Sequence, residues 1–379
     1  MTDEYDVLIV GLGAMGSAAA YHLAGRGLRV IGLDRFRPPH IFGSSHGRTR
    51  IIREAYFEHP SYVPLLQRAY ELWAELEKKS GKKLLLQTGG LMLGPPHGVL
   101  VTGARRSAEE HRLPHEMLSS AQIRRRFPAF AASDDVTGVW EPRAGILFPE
   151  LAIETHLELA EGRGAHFRFN NPVISWEAHP AGIHVHAEFE DFIARQLVLS
   201  PGAWMNYLSP PLSLPLSVER QGLFWFEPVG NSAAFQPDRC PIFIWEYGLH
   251  QFFYGFPDLG DGIKIGIHHQ GQPTEPMLLD RVVNPLETKA AHDLLRRFLP
   301  QAAGALKSTA VCMYTNTPDE HFILDRHPAH PQVIIASPCS GHGFKFSPVI
   351  GEIIANMITG KPTSFDLGLF KVNRFLKDA

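Results

Sequence analysis

A thiol and a cationic turn stand towards the C-terminal end of the chain: Cys312, in Val311-Cys312-Met313-Tyr314-Thr315, and Ser340-Gly341-His342-Gly343-Phe344-Lys345-Phe346. A cysteine attacks only as its thiolate, so it needs cations close by, and Arg50 or His46 would lower its pKa. Lys345 lies in a turn ahead of a helix, where backbone amides stabilise negative charge developing on a bound group. Arg53, in Thr49-Arg50-Ile51-Ile52-Arg53, is a cation set among apolar neighbours, and its fork matches two carboxylate oxygens. Together Arg53 and Lys345 would clamp a carboxylate, each charge-assisted hydrogen bond there being worth about 1.5–3 kcal/mol.

The opposite end of the chain carries the elements that position a partner for these groups. Asp6-Val7-Leu8-Ile9-Val10 reads as an apolar strand running into Gly11-Leu12-Gly13-Ala14-Met15-Gly16 and then into small residues suited to a helix packed on a sheet. Gly11 permits the tight turn, Gly13 lets backbone approach a pyrophosphate, and Gly16 lets the helix sit near the strand, with its dipole facing the phosphates. A second strand, Arg29-Val30-Ile31-Gly32-Leu33, ends at Asp34, which is placed to accept ribose hydroxyls. Strand, helix, strand and terminal acid together specify a dinucleotide. They leave open whether it is FAD or NAD, while the thiol at the other end points to a tethered flavin.

With 379 residues the chain exceeds the length at which one hydrophobic core stops growing, so two interleaved domains are expected. Its 44% hydrophobic and 20% charged residues are those of an ordinary globular protein, and a net charge of -3 offers no basic face for nucleic acid. The apolar start is not read as a signal peptide, because it holds three glycines in register behind an acidic opening. No run of about 18 apolar residues suggests a membrane span. Three scattered cysteines, Cys240, Cys312 and Cys339, make neither a disulfide framework nor a metal site, and a reducing, cytoplasmic compartment is expected.

Along the chain, a long loop from Arg37 to Arg53 precedes helical spacing from Tyr62 to Lys79, with Leu65, Leu66, Ala69, Leu72, Trp73 and Leu76 on one face. A helix beginning at Leu151 leads to strands near His166–Phe169 and Val198–Ser200, and the turn Pro201-Gly202-Ala203-Trp204 offers a second wall for a cofactor. Alternation from Leu214 to about Ile267 predicts an antiparallel sheet. Strands near Ala310–Tyr314 and Gln332–Ala336, then a helix from Ser347 to Met357, return to the cofactor. The expected fold is α/β with two domains, a dinucleotide-binding unit of residues 1–83, 145–213 and 308–379 and a sheet-based substrate unit of 84–144 and 214–307.

Six segments carry a more specific likeness: Gly43-Ser44-Ser45-His46-Gly47-Arg48-Thr49-Arg50-Ile51-Ile52-Arg53, Tyr254-Gly255-Phe256-Pro257, Ile263-Lys264-Ile265-Gly266, Val311-Cys312-Met313-Tyr314, Pro318-Asp319-Glu320-His321-Phe322-Ile323-Leu324-Asp325, and the Ser340–Phe346 turn. In that order, and over nearly the whole length, the chain resembles the monomeric sarcosine oxidase and N-methyltryptophan oxidase family of amine-oxidising flavoproteins. The resemblance implies a glutathione-reductase-like FAD domain interleaved with an antiparallel-sheet substrate domain, and FAD attached through its 8α-methyl carbon to the sulfur of Cys312. It implies further cofactor contacts at Ser44, Thr49, Arg50, Val173, Gly202, Trp204, Gly341, Gly343, Phe344 and Lys345.

Lys264 falls between Ile263 and Ile265, facing away from both, as a solvent-exposed strand residue would. The resemblance instead places it on the flavin face away from the substrate, where a fixed cation promotes the reaction of dioxygen. Tyr254, His268 and His342 are expected on the substrate side, holding an amine neutral, with His269 an alternative to His268. Arg48 and Cys339 depart from the family pattern, in which an acid and a bulkier apolar residue are common. The implied activity is oxidation of a secondary amino acid, foremost sarcosine, by a monomer that uses dioxygen. N-methyl-L-tryptophan, proline- or pipecolate-type imino acids, or a dehydrogenase passing electrons to a carrier, are the alternatives.

Overall fold

The computed structural model describes residues 5–209 and 212–376. The first sheet is centred on Tyr5–Val10, paired in parallel with Val30–Leu33 on one side and with Asp191–Leu199 on the other. His166–Arg168 extends it in parallel beyond Val30–Leu33, and Val333–Ser337 lies in parallel along the end of Asp191–Leu199. A hairpin of Val173–His179 and Gly182–Ala187 closes one edge, antiparallel to the first half of Asp191–Leu199. The central strands are buried on both faces, which is why they read as continuous apolar runs.

Helix Ala14–Ala24 packs between helices Pro149–Glu161 and Ser347–Thr359. Small residues set that distance: a Cβ at Gly351 would lie 2.6 Å from the backbone of Ala18. Helix Val63–Ser80 buries all six residues of its apolar stripe and stops at Gly81, whose φ of 69° suits glycine.

The second sheet runs in the order Leu306–Asn316, Ser217–Phe226, Ile263–His268, Gln251–Phe256, Ile242–Gly248, Gly90–Gly94, Thr137–Glu141 and Glu116–Ser119. Every pairing is antiparallel except that of Ile242–Gly248 with Gly90–Gly94. Phe224, Phe226, Phe243, Trp245 and Phe253 form its core beneath helix Pro285–Phe298. A small third sheet joins Arg50–Ile52, Gly145–Leu147 and Leu85–Gln87, so part of the long loop ahead of Arg53 is a strand.

The two-layered α/β architecture matches the fold class read from the sequence. One placement differs. The strand expected near 310–314 in the first layer extends over Leu306–Asn316 and pairs along Ser217–Phe226, with Cys312 opposite Gln221. A boundary at 307/308 therefore cuts into a strand of the second sheet, because a strand's own apolar pattern reports its burial but not its partner. Residues 1–4, 210–211 and 377–379 of the expected domain ranges lie outside the described residues. Among the described residues no helix is long and apolar enough to cross a membrane.

Candidate active site

At the N-terminal end of the Ala14–Ala24 helix the backbone itself makes a cradle. Gly11 has φ +85°, and a Cβ there would stand 2.5 Å from the Ser200 carbonyl oxygen. A Cβ on Gly16 would meet the Gly11 carbonyl oxygen at 1.8 Å, so the helix start rests directly on the loop. Gly13 is different: the nearest atom to its would-be Cβ is Ser45 Oγ at 3.9 Å, leaving its backbone open to a ligand. Asp34, at the end of the second strand, accepts the Leu12 amide at 2.7 Å on Oδ2 and the Phe36 amide at 2.9 Å on Oδ1. Those bonds tie the glycine loop to the neighbouring strand while leaving the carboxylate further acceptor capacity.

From Gly11, Gly13 and Asp34 a cavity of about 210 Å³ runs to Arg53 and Lys345, with Cys312 in its wall. Ser44, Thr49, Arg50, Gly202, Trp204, Gly341, Gly343, Phe344, Tyr254, His268 and His342 also line it. Gly16, Val173, His46 and Lys264 do not. Gly16 acts through packing, whereas Val173 opens the edge hairpin and sits in the core behind the sheet. A glycine cradle, an acid at the strand end and a long apolar wall ending at a thiol fit a flavin dinucleotide.

Cys312 is 2% exposed. Burial pushes its thiol pKa up, and the opposing pull of Arg50, Lys264 and Arg281 only partly offsets that. The net direction is therefore upward, against the expected lowering. Arg50 is one of the cations, its guanidinium fixed by the carbonyls of Ser44, His46 and Thr49. His46 is not: burial first, and then the charge of Arg50, hold its own pKa down to about 3, so it is neutral. Cys240 is buried in the second core, and burial raises its thiol to about 12. Cys339 lines the cavity with its thiol raised to about 11, also by burial.

The far end of the cavity holds buried charge. Arg53 makes a two-pronged ion pair with Glu58, both oxygens 2.7 Å from Nη2, and donates from Nη1 to the Ala55 carbonyl at 3.0 Å. Its guanidinium lies over the Tyr56 ring, 4.2 Å from the centroid. The segment is pinned from behind by Glu141, whose carboxylate accepts the amides of Glu54 and Ala55 at 2.7 and 2.9 Å; burial lifts the Glu141 pKa to about 7. Lys345 donates to the His342 carbonyl at 2.7 Å and lies 3.4 Å from the Tyr56 hydroxyl, while the Trp73 indole N–H holds the Lys345 carbonyl at 3.0 Å. Burial, and after it the charge of Arg53, lowers the Lys345 pKa to about 7.

His342 has both ring nitrogens engaged. Nε2 is 3.0 Å from the Glu320 carbonyl, which only accepts, so the proton is assigned to Nε2, and Nδ1 accepts from the Tyr56 hydroxyl at 2.6 Å. Its pKa falls to about 3, chiefly through burial, and it orients Tyr56 rather than offering a free nitrogen to the cavity. His268 lies 3.3 Å from the Tyr314 hydroxyl and is held neutral by burial, whereas His269 is drawn away to Glu219 at 3.4 Å and does not line the cavity. Burial raises the Tyr254 hydroxyl to about 12.

Lys264 is 2% exposed, which removes the solvent-facing reading. Its amine donates to Gly47 O, Thr49 O and Thr49 Oγ1 at 2.6, 3.0 and 2.9 Å, in a smaller pocket on the other side of Thr49. Burial, and after it the charge of Arg50, drives its pKa well down, while three oxygens within hydrogen-bond distance match the three hydrogens that an ammonium offers.

Sequence reasoning missed Glu58, Tyr56 and Tyr314. The signal for Glu58 was available in the run Arg53-Glu54-Ala55-Tyr56-Phe57-Glu58, since a cation embedded in apolar residues needs a nearby acid once it is buried.

Comparison with known proteins bears on the whole chain. Residues 6–357 match the family described as FAD dependent oxidoreductase. The chain is 44% identical to a monomeric sarcosine oxidase of Streptomyces avermitilis, across 99% of this chain and 98% of that protein. It is 36% identical to an N-methyl-L-tryptophan oxidase of Yersinia pestis, across 98% of this chain and all of that one. Its fold superimposes on NikD, an unusual amino acid oxidase essential for nikkomycin biosynthesis, with a TM-score of 0.85 and 24% identity over 98% of both chains.

Proposed function

Because the chain belongs to the family of FAD-dependent oxidoreductases, we propose that it oxidises a secondary amino acid with dioxygen as acceptor, sarcosine foremost. Sarcosine, dioxygen and water would give glycine, formaldehyde and hydrogen peroxide. One observation carries this reading: a single cavity joins a dinucleotide cradle at one end to two buried cations at the other, with a thiol in its wall. FAD, when bound, supplies the acceptor for the two electrons of the C–N oxidation and their passage to dioxygen. Gly11, Gly13 and Asp34 would hold it, Arg50 and Thr49 would flank it, and Cys312 would carry it through the 8α-methyl carbon.

The protein's own groups bind, orient and exclude water. Arg53 and Lys345 take the substrate carboxylate, and since Glu58 already occupies Nη2 of Arg53, an incoming acid shares that cation or displaces Glu58 from it. A carboxylate arriving beside Lys345 favours its protonated form, so binding and protonation reinforce each other. Tyr254 and neutral His268 line the same cavity and add no positive charge to it, which suits an amine whose lone pair must be free. Lys264 supplies a fixed cation on the other side of Thr49, favouring reduction of dioxygen over transfer to a carrier. A monomer in a reducing, cytoplasmic setting completes the reading.

The decisive experiment mixes the flavin-loaded protein with sarcosine without air and follows bleaching, then admits air and measures peroxide and formaldehyde. A panel of N-methyl-L-tryptophan, L-proline and pipecolate run alongside identifies the preferred amine. Bleaching by none of them, or bleaching with electrons delivered to a dye but no peroxide, would overturn the oxidase reading. Flavin released into the supernatant on acid denaturation would overturn the tether alone.

A further inference from the structure

The edge hairpin of the first sheet, Val173–His179 with Gly182–Ala187, contributes no residue to the cavity, yet one of its faces is crowded with metal-ligating side chains. Alternate residues of a strand share a face. Glu177 pairs with His184, and His186 pairs with Ser175 on one side and Asp191 on the other, so Glu177, His179, His184, His186 and Asp191 all project the same way. Glu177, His179 and His184 each offer one ligand atom, and the three atoms lie within 4.8 Å of one another. His179 Nε2 is 2.9 Å from Glu177 Oε1, and the His179 and His184 rings stand 4.4 Å apart, inclined at 33°. His186 Nε2 comes within 3.5 Å of the same Glu177 oxygen while Asp191 holds its Nδ1 at 3.1 Å.

We propose that Glu177, His179 and His184 form a surface site for a divalent transition metal of the zinc class, with His186 beside it and oriented by Asp191. Two imidazoles and a carboxylate suit zinc, copper or nickel and not the hard cations magnesium and calcium. Bonds of about 2.0–2.2 Å in a tetrahedron put ligand atoms roughly 3.3 Å apart. The cluster therefore needs to close only modestly, and the side chains of His179 and Glu177, 42% and 55% exposed, are free to turn. The carboxylate on His186 Nδ1 is the arrangement that fixes a metal-ligating ring. Because Val173–His179 is the outermost strand of its sheet, a metal bound there would tie that edge to the next strand in.

The test uses the full, FAD-loaded chain without an affinity tag, titrated calorimetrically with zinc chloride in a non-coordinating buffer. One zinc per chain is expected, with affinity at least about tenfold weaker in His179→Asn and in His184→Asn. Replacing His97, an exposed histidine outside the hairpin, by Asn should leave the affinity unchanged. The absence of a saturable single equivalent, equal affinity in the hairpin variants, or equal loss in the His97 variant would each overturn the proposal. So would magnesium competing at the same concentration as zinc. The result is independent of which amine the enzyme oxidises, since no hairpin residue lines the cavity.

Discussion

The two ends of the cavity are built by different means. At the dinucleotide end the work is done by backbone: three glycines within six residues, one strand on either side, and Asp34 bonded to the amides of Leu12 and Phe36. At the end proposed to bind the substrate carboxylate it is done by side chains drawn from separate stretches of sequence, Arg53 and Glu58, Lys345 and His342, Tyr254 and His268, with Glu141 behind. The first end tolerates no added atom at Gly11 or Gly16 but carries little buried charge. The second is held together by buried ionic groups whose removal one at a time leaves a partner stranded.

Gly16→Val should do the most damage. Its Cβ would meet backbone at 1.8 Å, which nothing nearby can yield to, and a cost of about 3 kcal/mol or more is expected, read as loss of soluble, yellow protein. Gly13→Ala, with open space beside it, should keep the fold while weakening flavin retention. If Gly16→Val purifies with a full flavin complement and an unchanged melting temperature, the account of a rigid cradle is wrong.

Arg53→Ala comes next, because it leaves the Glu58 carboxylate buried without its cation; destabilisation of about 3–5 kcal/mol is expected in chemical denaturation. Arg53→Ala with Glu58→Gln should recover most of that stability but not the raised KM for substrate. That split separates the structural ion pair from the clamp. A normal KM in the double variant would remove Arg53 from substrate binding.

Lys345→Met should weaken carboxylate binding by about 1.5–3 kcal/mol, and it also carries the pH signature. The Lys345 pKa is lowered to about 7, so the amine is a cation below that pH and is lost as a partner as pH rises through it. The inhibition constant of a carboxylate without an amine should therefore increase above about pH 7 in the parent protein and stay flat in Lys345→Met. The same slope in both would show that another group titrates.

The smallest change in stability is expected from Cys312→Ala, about 1 kcal/mol, since a buried free cysteine packs as a small hydrophobe. Its effect should show instead in flavin released on denaturation. Retained flavin in that variant would place the attachment elsewhere.

This contrast also explains what was legible in the chain. The glycine loop, the stripe of helix Val63–Ser80 and the cation among apolar neighbours at Arg53 could all be read because each is written within a few turns of sequence. Which of two adjacent histidines faces the cavity could not, since His268 and His269 differ only through Tyr314 and Glu219, drawn from other strands. The expected help from His46 failed for a related reason: burial costs an imidazolium its charge, and burial is set by the packed whole.

By itself the sequence determined a dinucleotide-binding opening, a second, sheet-based layer and the identity of the ionic and thiol groups, because turn geometry and strand or helix periodicity depend on neighbours a few residues apart. Only the tertiary structure decided that Leu306–Asn316 joins the second sheet, that Glu58 occupies Arg53, that the Cys312 thiol is raised on balance, and that three histidines meet on the edge hairpin. Pairing partners and local dielectric are sums over distant segments, and no single stretch of chain contains them.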